Sequence, residues 1–372
     1  MSRALVIVLD SVGCGEAPDA QAYGDAGANT LGHILQEVPE LAIPTLRRLG
    51  WGRILGADEP NETSFARLRP QSVGKDTTSG HWELMGAILN KPFATFERFP
   101  GELVSAIEDE ADVDFIGNVT GSGTQVLDDL GGQSVESGRP ILYTSADSVI
   151  QIAAHETHFG LERLLDVCEK ARFIADKWQI GRVIARPFVG EAGAWTRTAN
   201  RRDFSILPPR TVLDALHGAN IETTGIGKIS DIFAGRGLAH SLPTKSNAQG
   251  METIAAQWQA GRDGLFFANL VDFDTLYGHR RDVAGYARAL EEFDRWLADF
   301  VPQIADDDLV IITADHGNDP TFPGSDHTRE EVPLLLFRRG ERADLGVRSS
   351  FADVAATLGA FFGVAWETGA AL

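Results

Sequence analysis

The sequence contains few cysteines and no long apolar run. Only two cysteines, Cys14 and Cys168, occur among 372 residues, which excludes a disulfide framework, and their spacing is not that of a zinc site. Every apolar run is shorter than ten residues, whereas a membrane-spanning helix needs about 20. The run that begins at Ala4 is also too short for a signal peptide, since Asp10 ends it. These absences predict a cytoplasmic protein.

Basic residues are also in short supply. Lysine and arginine number 33, against 53 aspartate and glutamate residues, so the net charge is −20. An acidic surface repels nucleic acids and anionic membranes, and we expect neither as a partner. Hydrophobic residues make up 43% of the chain, which is ample for a folded core. The composition therefore indicates a globular protein that binds or transforms a small molecule.

Three common ligand-binding or catalytic motifs are missing. Gly13 and Gly15 follow the first predicted strand, but Pro18 stands where a dinucleotide-binding loop has its third glycine. The chain has no G-x-x-x-x-G-K-[ST] loop and no G-x-S-x-G elbow. These absences argue against a dinucleotide enzyme, a P-loop nucleotidase and an α/β-hydrolase.

Short apolar runs alternate with helical patterns at the N-terminus and over the last 165 residues. This alternation is typical of a parallel sheet with crossover helices. Residues 91–207 have their own strand and helix patterns and are bounded by prolines and glycines. We predict an α/β protein with a doubly wound, mostly parallel core, formed by 1–90 and 208–372. Residues 91–207 would form an inserted α+β domain.

Carboxylates and imidazoles follow three of the predicted core strands. Ligands bind beyond the carboxyl ends of the strands in such sheets, where these residues would converge. Six oxygen and nitrogen donors suit two divalent ions with three ligands each, and mixed ligation favours Mn²⁺ or Zn²⁺. Any one of them alone is equally well explained as a helix cap or a core histidine. The six candidates are Asp10, Asp274, His279, Asp315, His316 and His327.

A candidate nucleophile lies in the glycine-bounded loop VGKDTTSGHWELMG (73–86). Thr77, Thr78 and Ser79 stand just before a helical pattern, where backbone N–H groups and the helix dipole favour a phosphate. The alternative is that these hydroxyls only cap the helix. One cap does not need three hydroxyls, which favours a functional role for one of them.

These segments closely resemble the phosphopentomutases, a family of the alkaline phosphatase superfamily. The resemblance runs nearly end to end and in order. Its main blocks are VLDSVGCGEAPDA (8–20), GKDTTSGHWELMG (74–86), YTSADSVIQIAAHE (143–156), NLVDFDTLYGHRRD (269–282) and TADHGNDPTFPGSDHTREEVPLL (313–335).

The resemblance implies an isomerase with an alkaline-phosphatase-type core and the inserted segment as a cap domain. Such an enzyme interconverts α-D-ribose 1-phosphate and D-ribose 5-phosphate, and the 2-deoxyribose pair, through a ribose 1,5-bisphosphate. It implies that Thr77 carries the phosphoryl group. It also implies two Mn²⁺ ions, one on Asp10, Asp315 and His316 and the other on Asp274, His279 and His327.

The family's substrate contacts correspond to Ser145, Asp147 and Arg182 in the inserted segment and to Lys228 in the core. Arg197 is a further cation that we expect to help form a positive cleft on an acidic body. We expect a monomer or a weak oligomer whose partners are pentose phosphates.

Two alternatives stay open at this point. Within the same superfamily, the chain could be a cofactor-independent phosphoglycerate mutase or a phosphatase. Outside enzymes, it could be a metal-dependent sensor of sugar phosphates that retains the fold. Conversion of ribose 1-phosphate to ribose 5-phosphate, measured against release of free phosphate, discriminates among them.

Overall fold

The computed structural model describes residues 3–145, 148–338 and 340–372. The chain forms two compact units. Unit 1 comprises Met1–Lys91 and Pro208–Leu372, and unit 2 comprises Pro92–Leu207.

The strands are numbered in chain order over the described residues. They are β1 (Arg3–Leu9), β2 (Ser64–Leu68), β3 (Ile116–Thr120), β4 (Ile141–Thr144), β5 (Val149–His155), β6 (Arg182–Val189), β7 (Thr196–Arg197), β8 (Arg202–Ser205), β9 (Thr223–Ile226), β10 (His240–Leu242), β11 (Gly264–Leu270), β12 (Leu309–Thr313), β13 (Val332–Phe337) and β14 (Asp344–Arg348).

The α-helices are numbered in the same way. They are α1 (Thr30–Glu37), α2 (Pro44–Leu46), α3 (Gly52–Ile54), α4 (Thr77–Leu84), α5 (Gly101–Ala111), α6 (Gly123–Ser137), α7 (Leu161–Ala175), α8 (Val212–Gly218), α9 (Ile229–Ile232), α10 (Asn247–Gln259), α11 (Val283–Phe300) and α12 (Asp353–Phe362).

Unit 1 contains an eight-stranded sheet in the order β10-β9-β11-β1-β12-β13-β2-β14. Strands β10, β9, β11, β1 and β12 are mutually parallel, and β13 runs antiparallel to both its neighbours. In β1, Val6 pairs with Phe267 on one side and Ile311 on the other. The unalternating apolar sequence of β1 suits this central position, because both faces are buried. The predicted doubly wound, mostly parallel α/β core is confirmed.

Helices cover this sheet. Helix α11 buries Leu290, Phe293 and Leu297, which recur at intervals of three and four residues and so lie on one face. Helix α10 packs against β11, while α4 contacts α9 and α12. The central strands β1, β11 and β12 are almost entirely buried, so a ligand can reach polar side chains only near the strand ends.

Unit 2 has its own mixed sheet, in the order β3-β4-β5-β6-β7, with β8 also paired to β6. Its larger apolar core includes Leu164, Val167 and Ala171 of α7, together with Ile150 and Ile152 of β5. Each unit therefore has buried apolar side chains of its own.

Within the described ranges, no helix has both the length and the apolar character needed to cross a membrane.

Candidate metal centre

The carboxyl ends of β11, β1 and β12 lie side by side, because these three strands are adjacent and parallel. Asp10 follows β1, Asp274 follows β11, and Asp315 and His316 follow β12. Each of the four is at most 4% exposed. The sheet topology thus brings acidic and imidazole groups from distant parts of the chain to one edge.

Asp10, Asp315 and His316 form a first group of possible metal ligands. His316 Nε2 lies 3.4 Å from Asp10 Oδ1 and 3.4 Å from Asp315 Oδ2. All three residues are buried, so few water molecules compete for these atoms.

Asp274, His279 and His327 form a second group beside the first. Asp274 Oδ2 lies 3.2 Å from His279 Nε2, and Asp274 Oδ1 lies 3.4 Å from His327 Nε2. The two imidazole Nε2 atoms are 3.1 Å apart. The rings of His316 and His327 are 4.1 Å apart between centroids, so the two groups are contiguous. The structure brings all six sequence-predicted ligands together.

The orientation of two of the imidazoles is set by backbone carbonyl groups. His279 Nδ1 lies 2.7 Å from the Ser325 carbonyl oxygen, and His316 Nδ1 lies 3.0 Å from that of Gly317. An N–H at Nδ1 that donates to a carbonyl leaves Nε2 as the atom available to a metal. Both Nε2 atoms face the carboxylates of their own group.

The carboxylates and imidazoles strongly perturb one another. Burial and the charge of Asp315 raise the pKa of Asp10. Burial disfavours a charged His316, but the carboxylates of Asp315 and Asp10 outweigh it and hold the His316 pKa well above its usual value. Burial likewise opposes ionisation of Asp274, yet hydrogen bonds from His279 and His327 lower its pKa. The negative charge of these carboxylates therefore favours a positive charge in the space between them. A divalent cation that binds there competes with the protons of the imidazoles and carboxyl groups.

Two buried carboxylate oxygens support the fit to a metal ion. Within the described residues, Asp10 Oδ1 and Asp315 Oδ2 have no hydrogen-bond partner. Leaving such atoms buried and unpaired is costly. Each of the two oxygens lies 3.4 Å from His316 Nε2. A donor set of carboxylate oxygen and imidazole nitrogen, without thiolate, suits a divalent ion such as Mn²⁺ or Zn²⁺.

The second group is held by an amide and an arginine that the sequence did not single out. Asn318 Nδ2 donates to Asp274 Oδ1 at 2.7 Å, and Asn318 Oδ1 accepts from Arg281 Nη1. Arg281 also donates to the carbonyl oxygens of Gly278 and Gly324. It therefore ties the loop after β12 to the segment after β11. The nearby Asp272 accepts from the backbone N–H of Asn247 at the start of α10.

Thr77 is the first residue of α4, and its Oγ1 lies 3.2 Å from His316 Nε2. The helix is capped by Asp76, whose Oδ1 accepts from the Ser79 backbone N–H at 3.0 Å. The Ser79 hydroxyl is buried and donates to Asp76 Oδ2 at 2.6 Å. Among the three hydroxyls, Thr77 therefore has a direct contact with the candidate metal groups, while Ser79 is engaged in the cap.

The loop before Thr77 rests on a buried arginine. Arg329 is 2% exposed, and it donates to the carbonyl oxygens of Pro70, Ser72 and Gly74. Its charge is balanced by Asp19 at 2.9 Å. Only the tertiary structure assigns this role, since nothing in the local sequence distinguishes Arg329 from a surface arginine.

The predicted substrate contacts are distributed over both units. Lys228 follows β9 in unit 1 and is exposed. In unit 2, Ser145 directly follows β4 and is half-buried, and Arg182 begins β6 with Asp203 3.8 Å away. Asp147 lies outside the described residues.

Unit 2 carries a cluster of positive charge around Tyr143. Arg197 and the Tyr143 hydroxyl both lie against Gly123, where a Cβ atom would come within 2.8 Å of the Arg197 guanidinium. Burial and the neighbouring charges of Arg201 and Arg197 lower the pKa of Arg186. Clustered guanidinium groups of this kind favour an anion. The structure thus adds Arg186 to the basic residues that the sequence indicated.

Comparison with known proteins identifies the family of this chain. A family model described as the metalloenzyme superfamily matches residues 2–365, which places the chain in that class of protein. The phosphopentomutase of Syntrophotalea carbinolica is 50% identical over 99% of this chain and 96% of its own length. The phosphopentomutase of Acetivibrio thermocellus is 47% identical over 98% of this chain and 96% of its own length. The chain belongs to the phosphopentomutase family.

A solved structure shares the fold. The PH0037 protein from Pyrococcus horikoshii has a TM-score of 0.51 and 13% identity, with 99% of each chain covered. Membership of the family makes the protein an isomerase that acts by phosphoryl transfer. The superfamily supports the use of divalent metal. So do two clusters of possible ligand atoms that share His316, one with Asp10 and Asp315 and the other with Asp274 and His327.

Proposed function

We propose that the protein interconverts α-D-ribose 1-phosphate and D-ribose 5-phosphate, and the corresponding 2-deoxyribose phosphates, with Thr77 as the phosphoryl carrier. The observation that carries this proposal is the position of Thr77 Oγ1, 3.2 Å from His316 Nε2 at the start of α4. A phosphoryl group on Thr77 would lie at the N-terminal end of α4, where the helix dipole favours negative charge, and close to the metal-binding residues.

Two divalent ions, for which we propose Mn²⁺, would be held by the two groups described above. Asp10, Asp315 and His316 would bind one, and Asp274, His279 and His327 the other. When bound, such ions neutralise charge on the transferring phosphoryl group and lower the pKa of a hydroxyl beside them. The unpaired oxygens of Asp10 and Asp315 are the structural support for this assignment.

The reaction begins from the phosphorylated form of Thr77. A hydroxyl oxygen of the pentose monophosphate forms a bond to phosphorus as the bond from Thr77 Oγ1 to phosphorus breaks. The proton leaves the sugar hydroxyl and ends on Thr77 Oγ1, and the product is ribose 1,5-bisphosphate. Preorganised charge at the site supplies most of the stabilisation of such a transfer.

The bisphosphate then returns its other phosphoryl group to Thr77, which regenerates the phosphoenzyme and releases the isomeric monophosphate. The intermediate has to stay bound while it turns round. We propose that Ser145, Asp147, Arg182 and Arg197 of unit 2, and Lys228 of unit 1, bind the sugar and its distal phosphate. The guanidinium cluster around Tyr143 supports a phosphate-binding role for unit 2.

The remaining proposals concern the state of the protein in the cell. The paucity of cysteine and of long apolar runs supports a cytoplasmic location. We propose a monomer or weak oligomer that has no nucleic-acid or membrane partner, in keeping with its net charge of −20.

The test is to incubate the purified protein with ribose 1-phosphate, Mn²⁺ and a catalytic amount of a sugar bisphosphate. Ribose 5-phosphate and free phosphate are measured in parallel, and the phosphorylated residue is identified by mass spectrometry. We expect conversion to ribose 5-phosphate with little free phosphate, and phosphate on Thr77.

Thr78→Ala is the matched control, because Thr78 follows Thr77 in the same helical turn. It is expected to keep turnover within a few-fold of the unchanged protein. Release of free phosphate alone would contradict mutase activity in favour of hydrolysis. Phosphate on Thr78 or Ser79 instead of Thr77 would contradict the assignment of the carrier.

A further inference from the structure

His81 and Asn269 form a buried link between the helix of Thr77 and the first ligand group. His81 lies one helical turn after Thr77, and its Nδ1 lies 2.9 Å from the Thr77 carbonyl oxygen. Asn269 is the penultimate residue of β11, and its Nδ2 lies 2.9 Å from His81 Nε2 and 3.0 Å from Asp10 Oδ2. Neither side chain is more than 1% exposed.

The directions of these hydrogen bonds follow from their partners. The Thr77 carbonyl oxygen only accepts, so His81 donates from Nδ1 and presents a lone pair at Nε2. The two hydrogens of the Asn269 amide can then be donated to His81 Nε2 and to Asp10 Oδ2. The reversed amide would set its oxygen against two acceptors, which is unfavourable.

The hydrogen bond from Asn269 determines the orientation of the Asp10 carboxylate. Its Oδ2 is engaged by Asn269, and its Oδ1 has no hydrogen-bond partner in the described part of the chain and lies 3.4 Å from His316 Nε2. The amide therefore selects which oxygen of Asp10 is available and fixes the plane of the carboxylate. His81 Nδ1 also lies 3.0 Å from Asp315 Oδ2, so the same imidazole borders the other carboxylate of the group.

We propose that Asn269 and His81 are positioning residues of the phosphoryl-transfer site, which act by orienting Asp10 and by joining that carboxylate to the backbone of Thr77. This inference rests on the proposed function. It assigns neither residue a contact with substrate. Groups that orient metal ligands typically change metal affinity about 10–100-fold when they are removed.

The second group offers a matched comparison, because Asn318 donates to Asp274 Oδ1 as Asn269 donates to Asp10 Oδ2. Asn269→Leu and Asn318→Leu each remove a buried amide with little change in volume. A general loss of stability would weaken both ions in either variant. A positioning role instead predicts that each variant weakens a different ion.

The experiment measures Mn²⁺ binding by titration and by metal analysis after gel filtration. We expect Asn269→Leu to weaken one of two ions about 10–100-fold and to leave the other within about threefold. In an Asp274→Asn background, which lacks a ligand of the second group, Asn269→Leu is expected to abolish retention of the remaining ion. Asn318→Leu in that background is expected to leave it bound.

Two further measurements guard against misfolding. Asn269→Ala removes the same amide without overpacking and is expected to give the same loss of affinity. In the Mg²⁺-loaded unchanged protein, long-range proton–nitrogen spectra, assigned with the help of His81→Gln, are expected to show the hydrogen bond donated from His81 Nδ1 and an accepting Nε2.

Unchanged Mn²⁺ affinity in both Asn269 variants, equal weakening of both ions, or a His81 proton on Nε2 would each overturn the positioning role. These failures are distinct from a failure of the proposed function, which would appear as an unchanged protein that binds Mn²⁺ but does not convert ribose 1-phosphate.

Discussion

Asp76 caps the helix that begins at Thr77, since its Oδ1 accepts a hydrogen bond from the Ser79 backbone N–H at 3.0 Å. A second bond, from the Ser79 hydroxyl to Asp76 Oδ2 at 2.6 Å, strengthens the cap. The Thr77 hydroxyl takes no part in this arrangement and faces His316 instead. Mutations can therefore separate the stability of the start of α4 from the chemistry of its first residue.

Thr77→Ala is expected to abolish turnover and to change the free energy of unfolding by less than about 1 kcal/mol, the usual value of a helix cap. Activity should fall by several orders of magnitude because the phosphoryl group has no carrier. Denaturant unfolding and the isomer assay measure the two effects. Asp76→Ala is the complementary variant, for which we expect a loss of about 1 kcal/mol or more. Near-normal mutase activity in Thr77→Ala would contradict the covalent route.

The two aspartates of the segment after β11 are expected to differ in their effect on metal. Asp274 faces two imidazoles, whereas Asp272 accepts from the backbone N–H of Asn247 at 2.7 Å. Asp274→Asn should therefore lose one ion and most activity, because a ligand is missing from a set of three. Asp272→Asn should retain both ions. Metal analysis by mass spectrometry decides between them, and the opposite pattern would show that the ligand assignment is wrong.

Much of the ligand set was predictable because it depends on the strand ends alone. Asp10, Asp274 and Asp315 share one edge of the sheet as long as the strands before them are parallel. The apolar runs that precede these residues indicate buried parallel strands. The residues that orient the ligands were not predictable in this way. Asn269 and Asn318 are separated from their carboxylate partners by 259 and 44 residues, and no local pattern links them.

The sequence did not identify Asp76 as the cap of α4, for a physical reason. Threonine, serine and aspartate are all good helix caps. The sequence therefore did not show whether Asp76 or one of the three hydroxyl residues after it caps the helix. His81 offered one usable signal, because a spacing of four places it on the same helical face as Thr77. The reversal of β13 needs the tertiary structure, since a buried strand has the same apolar composition in either direction.

Removal of metal is expected to lower stability as well as activity. A ligand that binds only the folded state adds RT ln(1 + [L]/Kd), which is about 2.7 kcal/mol for one site at 100 times Kd. Asp10 Oδ1 and Asp315 Oδ2 have no hydrogen bond among the described residues, and a bound metal ion would give each a favourable contact. Thermal unfolding with excess chelator, with Mn²⁺, and after Mn²⁺ is restored should show a reversible shift to higher Tm with the metal. An unchanged Tm would contradict metal binding at this buried site.

Substitution of the unit 2 arginines is expected to affect substrate binding but not metal binding. The side chain of Arg182, the first residue of β6, is 43% exposed, while Arg197 is exposed and lies beside Tyr143 and Gly123. Neither belongs to a ligand group of unit 1. Arg197→Ala and Arg182→Ala should raise KM about tenfold or more, since a charged hydrogen bond to phosphate is lost, with both ions retained. Lys177→Ala serves as control because it removes a positive charge of unit 2 whose amine lies over the Phe173 ring. Unchanged KM in both arginine variants would contradict a phosphate-binding role for unit 2.

Neither thiol is expected to react in the native protein. Cys14 and Cys168 are buried and unpaired. Burial raises the pKa of Cys14 to about 12, against the opposing effect of Arg67, and also raises that of Cys168 above its usual value.

The thiolate is the reactive form, and a raised pKa makes it scarce at pH 8, so iodoacetamide should label neither residue within an hour. In denaturant, where the pKa returns to its ordinary value near 8.5, both should be labelled fully. Mass spectrometry of the intact chain counts the adducts. Rapid native labelling at Cys14 would show that the segment after β1 opens to solvent. It would contradict the structure, in which Cys14 is buried and its backbone N–H donates to the Glu331 carbonyl oxygen at 2.8 Å.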